Sequence, residues 1–260
     1  GKDEIVPPQS VLRLFEKLRQ AKRRVLSIHR DAGGHSTTYE DTVTAMEFVL
    51  REAGALTLEQ KGAWVAQLSK SPVVRRSNDE RGRLNADSGI FSAGVERALS
   101  FDTMFSPADI RLIERAVERA AGRSTSTTAS WTTKKGKVIR GFTSAIDGST
   151  QPYGLIIPKS YDGTRPMRLD VVLHGSSKPV GMSELKFIGR FDEGDEDKGG
   201  APEVDYIELH PLGRVENCYR WAGETDVFEA IEAVCKNYNL DRARIVLRGM
   251  PMGASGTWHL

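Results

Sequence analysis

Across residues 137–157 the apolar positions fall into two short runs, Val138 and Ile139 with Phe142, then Tyr153 to Ile157, with Asp147-Gly148 between them. Short apolar runs rich in β-branched and aromatic side chains around an Asp-Gly pair predict two strands joined by a turn. The stretch "MRLDVVLHGSS" predicts a third strand that ends in His174-Gly175, "EVDYIELHPLG" a fourth, and "ARIVLRG" a fifth. Before the fifth, "TDVFEAIEAVCKNY" places its apolar residues at helical spacing and predicts an amphipathic helix opened by Thr225 and Asp226. Strands that alternate with helices imply a parallel α/β sheet.

The first half follows a helical period. In residues 8–24, Val11, Leu12, Leu14, Phe15 and Leu18 share one face, and Ser10 is placed to cap the start. Thr37 and Glu40 have the spacing of a capping box for a second helix that Gly54 would stop. Thr57 opens a third, with Trp64, Val65 and Leu68 as its apolar stripe. Residues 73–89, "VVRRSNDERGRLNADSG", read as a polar connector, and helices are expected near 91–99 and 106–121, the latter with Ser106 as N-cap and Pro107 at the first helical position. The Ser/Thr-rich stretch "RSTSTTASWTT" has no periodicity and reads as a linker or exposed loop. The expected organisation is a helical region over 1–122, a linker over 123–136 and an α/β domain over 137–260.

Charge and composition remove several function classes. The 260 residues carry 37 basic and 35 acidic side chains, a net charge of +2, so no global field draws nucleic acid. The basic cluster Lys22-Arg23-Arg24 suits the negative end of a helix, and beyond Phe15 no aromatic platform accompanies it for base stacking. No apolar run reaches the roughly 18–20 residues of a membrane span. Cys218 and Cys235 are the two cysteines and lack metal-ligand spacing, so two unpaired thiols are expected. His29, Asp31 and His35 around a glycine turn read as a polar loop rather than a metal site. The acidic stretch 191–200, "FDEGDEDKGG", lacks the ligand alternation of a calcium loop and reads as a solvated insertion.

The chemistry-bearing stretch is the last one, "RARIVLRGMPMGASGTWHL". A strand runs into Gly249-Met250-Pro251-Met252-Gly253 and then into a helix, the layout of a nucleophile elbow. Together with "QPYGLIIPKSYD", "DVVLHGSS", "IELHPLGR" and "AGETDVFEAIEAV", it makes residues 141–260 resemble the α/β-hydrolase fold. The likeness is greatest to the esterase and prolyl-oligopeptidase-like serine hydrolases of bacterial secreted or periplasmic type. The resemblance implies the N-terminal part of a mostly parallel hydrolase sheet, incomplete after the elbow, and a periplasmic or secreted location. It also implies hydrolysis of esters or peptides through an acyl-enzyme, without cofactor or metal. One oxyanion donor would be the amide of Gly175, Ser176 or Ser177, and the other that of Met252. Arg214 and Trp221, on the loop after the fourth strand, would lie near the carboxyl ends of the strands as substrate contacts.

Pro251 stands where that motif needs its serine, and the acid and histidine expected after it are missing, so inactivity is expected. Proline fixes φ near −65°, whereas the nucleophile of an elbow takes positive φ. Ser255 would point along another face of the helix, and His259 shares that helix. Glu224 and Asp226 read as caps of their own helix rather than as an acid and base pair. An exposed strand edge and an uncovered apolar face are also expected, open to a partner or to self-association. The second reading is a non-catalytic binding module built on the hydrolase scaffold.

Overall fold

The computed structural model describes residues 8–21, 80–102, 104–176 and 180–260, and among these the chain forms six α-helices and five strands. It divides into two compact units, Gly1–Ala63 with Thr103–Ile110, and Trp64–Asp102 with Arg111–Leu260. In the first unit, α1 (Pro8–Gln20) is the helix expected from its apolar spacing. It begins ahead of Ser10, which therefore lies inside the first turn and is not the cap. The Lys22-Arg23-Arg24 cluster, the helices expected from Thr37 and Thr57, and the loop with His29, Asp31 and His35 lie outside the described residues. The helix at Pro107–Thr125 starts as expected: Ser106 Oγ accepts from the Asp109 amide at 3.2 Å, and Asp109 Oδ2 accepts from the Ser106 amide at 3.0 Å.

The second unit begins with α2 (Glu80–Phe101) and contains that helix, α3 (Pro107–Thr125), from Arg111 onward. The sheet follows: β1 (Gly136–Thr143), β2 (Thr150–Ile157), β3 (Met167–Leu173), β4 (Tyr206–Pro211) and β5 (Leu240–Gly249), in the spatial order β1-β2-β4-β3-β5. β2 is antiparallel to both β1 and β4, while β3 runs parallel to β4 and β5. All strands except β2 therefore point one way, which is the mostly parallel α/β sheet expected. β3 leads into β4 through α4 (Ser183–Phe191), β4 into β5 through α5 (Ala222–Asn237), and α6 (Met252–His259) follows β5. Leu155, Leu169, Val171, Ile207 and Leu209 form the core with Val227, Ala230 and Val234 of α5.

The β1 edge of the sheet is sealed by charged side chains. Asp87, which the sequence placed in a polar connector, lies inside α2, because that helix starts at Glu80. Its carboxylate accepts from the Gly141 amide, the Trp131 indole and Arg140 Nε, each at 2.8 Å. Arg123 Nη1 donates to Ile139 O and Asp87 O at 2.9 Å. Backbone groups of β1 are thus held by Asp87 and Arg123 rather than by another strand. Gly141 allows α2 this close, since a Cβ there would stand 2.6 Å from Ala86 O. Trp131, in the stretch expected as a linker or exposed loop, is 1% exposed. At the opposite end of the sheet, β5 leaves Ile245 37% and Val246 41% exposed, and among the described residues no further strand pairs with it. The face beside it is not purely apolar: Arg248 Nη2 donates to Glu208 Oε1 at 2.6 Å and lies 3.6 Å from Asp170.

The acidic stretch after α4 is a clasp on α3, not a solvated insertion. Arg115 and Arg119 donate to the Asp192 carboxylate, each through Nε at 3.0 Å, and Arg119 and Arg123 both bind Asp195. Three arginines at helical spacing on α3 form a row that two carboxylates fill, a pairing that a local reading of charge misses. Burial alone would raise the Asp195 pKa, but hydrogen bonds from Arg119 and Arg123 outweigh it and hold the carboxyl below its ordinary value. A depressed folded pKa gives stability that is present above the unfolded value, about 4, and lost as pH falls through the folded one. Asp195→Asn is expected to cost about 2 kcal/mol at pH 7 and to flatten the acid limb of the melting-temperature profile. An acid limb of unchanged steepness would remove Asp195 from it.

Candidate functional site

Because β3, β4 and β5 are parallel, their carboxyl ends lie on one side of the sheet, where open α/β sheets bind ligands. Three segments meet there: residues 174–176 after β3, 212–221 after β4, and 250–252 after β5. The elbow geometry is present in its glycines. A Cβ on Gly249 would overlap the Gly253 carbonyl, and one on Gly253 would overlap Leu173 O, so both positions admit only glycine without a shift of backbone. The Met250 amide donates to Leu173 O at 3.2 Å and ties the turn to the end of β3. At the apex, Pro251 occupies the N-cap of α6 with φ 9° and ψ −83°, which is neither the −65° expected of proline nor the left-handed region that an elbow nucleophile takes.

Of the residues expected as oxyanion donors, two lie at this apex. A Cβ on Gly175 would stand 3.5 Å from the Pro251 ring, and Met252 is the first residue of α6. The first amides of a helix have no partner within it. Gly253 and Ser255 turn theirs back to Met250 O at 2.6 Å and Pro251 O at 3.3 Å, and among the described residues no acceptor meets that of Met252. The Met252 side chain belongs to the core and anchors the turn. Ser176 is exposed, and Ser177 lies outside the described residues. The amide of His174, one residue earlier, is taken: it donates to the Tyr219 hydroxyl at 2.7 Å.

Tyr219 is the organising side chain that the sequence reading missed. It is fully buried, meets the His174 ring edge-on at 5.4 Å between centroids, and stands against α6, where a Cβ on Gly256 would lie 2.9 Å from its ring. Burial pushes the phenol pKa well up, so it stays a neutral hydroxyl. Its own segment is bent to place it: Arg214, Val215, Cys218, Tyr219 and Trp221 all have positive φ, between 52° and 68°. Non-glycine residues in that region cost of order 1–3 kcal/mol each and cluster where a loop shapes a site. Nothing in the local sequence other than Gly213 signals this run.

Arg214 and Trp221, expected as substrate contacts, are placed differently from each other. Arg214 Nη1 donates to Asp147 Oδ2 at 2.7 Å and Nε to Asp226 Oδ2 at 3.0 Å, so it joins the β1–β2 turn to α5. Asp226 is therefore a buried ion-pair partner rather than a cap, and the N-cap position of its helix is Trp221, without a side-chain cap. The hydrogen bonds of Arg214 hold Asp147 well below the usual carboxylate range. Trp221 is 78% exposed and turns outward from the loop.

The histidines and Ser255 complete the inventory. Both ring nitrogens of His259 face carbonyl oxygens, Ser255 O at 2.9 Å and Tyr219 O at 3.0 Å. Those of His174 face Gly175 O at 2.9 Å and Leu212 O at 2.8 Å. His210 lies 3.0 Å from Glu208. Ser255 sits one turn into α6 and is exposed, and among the described residues the imidazole nearest in sequence, His259, meets its carbonyl rather than its hydroxyl. Cys218 and Cys235 are free thiols, as expected. Among the described residues no cluster of three His, Cys, Asp or Glu side chains is spaced to hold a metal, and no helix is long and apolar enough to cross a membrane.

Neither a protein-family model nor a curated protein sequence matches the chain. Among solved structures it is similar to a thermostable esterase, at 23% identity and a TM-score of 0.32, over 47% of this chain and 36% of that one. It is also similar to a ferulic acid esterase of the anaerobic fungus Anaeromyces mucronatus, at 16% identity and a TM-score of 0.29, over 45% of this chain and 50% of that one. The chain thus covers between about a third and a half of the length of these two esterases. Likenesses of this looseness leave the chemistry to be argued from the residues.

Proposed function

We propose that the chain is an ester-hydrolase-like scaffold that binds an acyl or ester-bearing ligand at the elbow without forming an acyl-enzyme there. The observation that carries this reading is Pro251 at the apex of a turn whose two close-packed glycines, Gly249 and Gly253, are both retained. Acyl transfer needs a hydroxyl or thiol with a base in hydrogen-bond reach, and proline supplies neither. What the apex does offer is the Met252 amide at the positive end of α6, with Gly175 alongside, a place for a carbonyl oxygen.

Two measurements test this. Intact-mass analysis after incubation with a fluorophosphonate probe is expected to show no adduct; a stoichiometric adduct on Ser255 or any other serine would overturn it. Pro251→Ser is expected to give no turnover of p-nitrophenyl acetate above the uncatalysed rate, because His174, His210 and His259 are all engaged elsewhere. Measurable turnover in that variant would assign a base to the site. Binding is read separately with methyl butyrate in ligand-observed NMR, where Gly175→Val, which fills the space beside Pro251, should abolish saturation transfer. Equal transfer with and without the substitution would move the ligand away from the elbow.

A further inference from the structure

We propose that the groove between α5 and the carboxyl end of β1 binds a small organic cation with an apolar body, of the arylalkylamine class. The groove has a volume of about 440 Å³, and its lining includes Ala86 of α2, Phe142 of β1, and Glu224, Phe228 and Glu229 of α5. It shares no residue with the elbow and stands whether or not the elbow binds an ester.

The apolar part of the groove comes from how α5 is divided between its two sides. Val227, Ala230 and Val234 are buried in the core, whereas Phe228 is 49% exposed and lines the groove together with Phe142. Between the two rings the wall carries only small side chains, at Ala86, Ala145 and Ala233, beside Gly141. A ring that enters there meets aromatic and methyl surface.

The charge at the groove is negative and lies toward the start of α5. Three carboxylates, Glu224, Glu229 and Glu232, line it against one ammonium, Lys236. Glu232 is neutralised by Arg242, which donates to both of its oxygens at 2.7 and 3.0 Å. Glu229 Oε1 accepts from the Ala145 amide at 2.8 Å, and Oε2 is enclosed without a hydrogen-bond partner, so this carboxylate acts on the groove through space and not by contact. Glu224 is partly exposed, and among the described residues no cation pairs with it. Close by, Asp147 and Asp226 share the single guanidinium of Arg214. Burial raises the Asp226 pKa despite the hydrogen bonds from Arg214, and the charges of Glu229 and Asp147 add to the rise, so the surplus is felt at a neighbouring group. Lys236 does not cancel it: twelve residues along α5 is about 18 Å, more than twice the screening length of about 8 Å at physiological salt.

The chemical class follows from these two features together. An anion would be repelled by Glu224 and Glu229. A bare divalent cation needs six or more oxygen ligands, and Glu224 is one reachable carboxylate. An organic ammonium fits, because Glu224 and Phe228 stand four residues apart on one face of α5. Its N–H groups donate to the Glu224 carboxylate while its body lies against Phe228 and Phe142.

The test uses the full chain and ligand-observed saturation-transfer NMR with phenethylamine, and with phenethyl alcohol and phenylacetate as neutral and anionic probes of similar skeleton. Phenethylamine is expected to bind with a Kd of about 1–10 mM, the alcohol about tenfold more weakly, and phenylacetate to stay silent. Glu224→Gln and Phe228→Ala change side chains outside the core, keep the parent's melting temperature, and are each expected to weaken amine binding about fivefold. The proposal is overturned if phenethylamine does not bind at about 50 mM, a concentration far above that Kd range. It is equally overturned if the alcohol or the anion binds as tightly as the amine, or if both variants bind the amine as the parent does.

Discussion

Asp87→Ala is expected to cost the fold about 3–5 kcal/mol, the largest effect of any single charge removal in the second unit. The carboxylate is fully buried and satisfies three donors at once: the Gly141 amide, the Trp131 indole and Arg140 Nε. Removing it leaves the Arg140 guanidinium, itself buried, with Tyr238 Oη at 3.3 Å as its remaining acceptor. An uncompensated buried charge costs far more than the pair contributes, which is why breaking such a pair differs from replacing it. The double replacement Asp87→Leu with Arg140→Met is therefore expected to be less destabilising than Asp87→Ala alone. Urea unfolding of the parent and the two variants checks this, and a double variant destabilised as much as Asp87→Ala or more would show that the loss does not come from leaving Arg140 uncompensated.

The second large effect is at the elbow and sets one substitution against itself. Gly253→Ala is expected to lose at least about 3 kcal/mol, at the upper end of overpacking costs, because the new Cβ would overlap the backbone carbonyl of Leu173 rather than the end of a flexible side chain. Gly122→Ala, in α3, meets nothing within 4 Å. There the same change should stabilise by about 0.5–1 kcal/mol, through helix propensity alone. Thermal melts of the two variants should move in opposite directions. A Gly253→Ala protein that melts with the parent would mean that the elbow is not pressed against β3.

The sheet and its connections were legible because they are written in local signals. Alternating runs, the Asp147-Gly148 turn and the period of α5 each depend on neighbours only a few residues away. The Ser106 box is local in the same way. Arg214 was found by position, on the loop after β4, but its partners Asp147 and Asp226 stand 67 and 12 residues away, and pairing at that range leaves no local pattern. Asp87 shows the limit most clearly. In "RLNADSG" it looks like a polar loop residue, and only the approach of β1, 54 residues later in the chain, turns it into the acceptor of the Gly141 amide. At the elbow the sequence was more informative, since Gly249, Pro251 and Gly253 each carry a backbone requirement of their own. The positive-φ run around Tyr219 was invisible because its residues have no compositional mark of the conformation they take.

The two edges of the sheet differ in a way that bears on how copies could polymerise. A growing cross-strand stack needs each added molecule to present a second open edge to the next. Here β1 cannot be that second edge, because Asp87 and Arg123 already hold Gly141 N and Ile139 O. Among the described residues a further strand could therefore add to this sheet on the β5 side alone. Asp87 and Arg123 thereby act as chain stoppers, and a filament built by this sheet would require their removal.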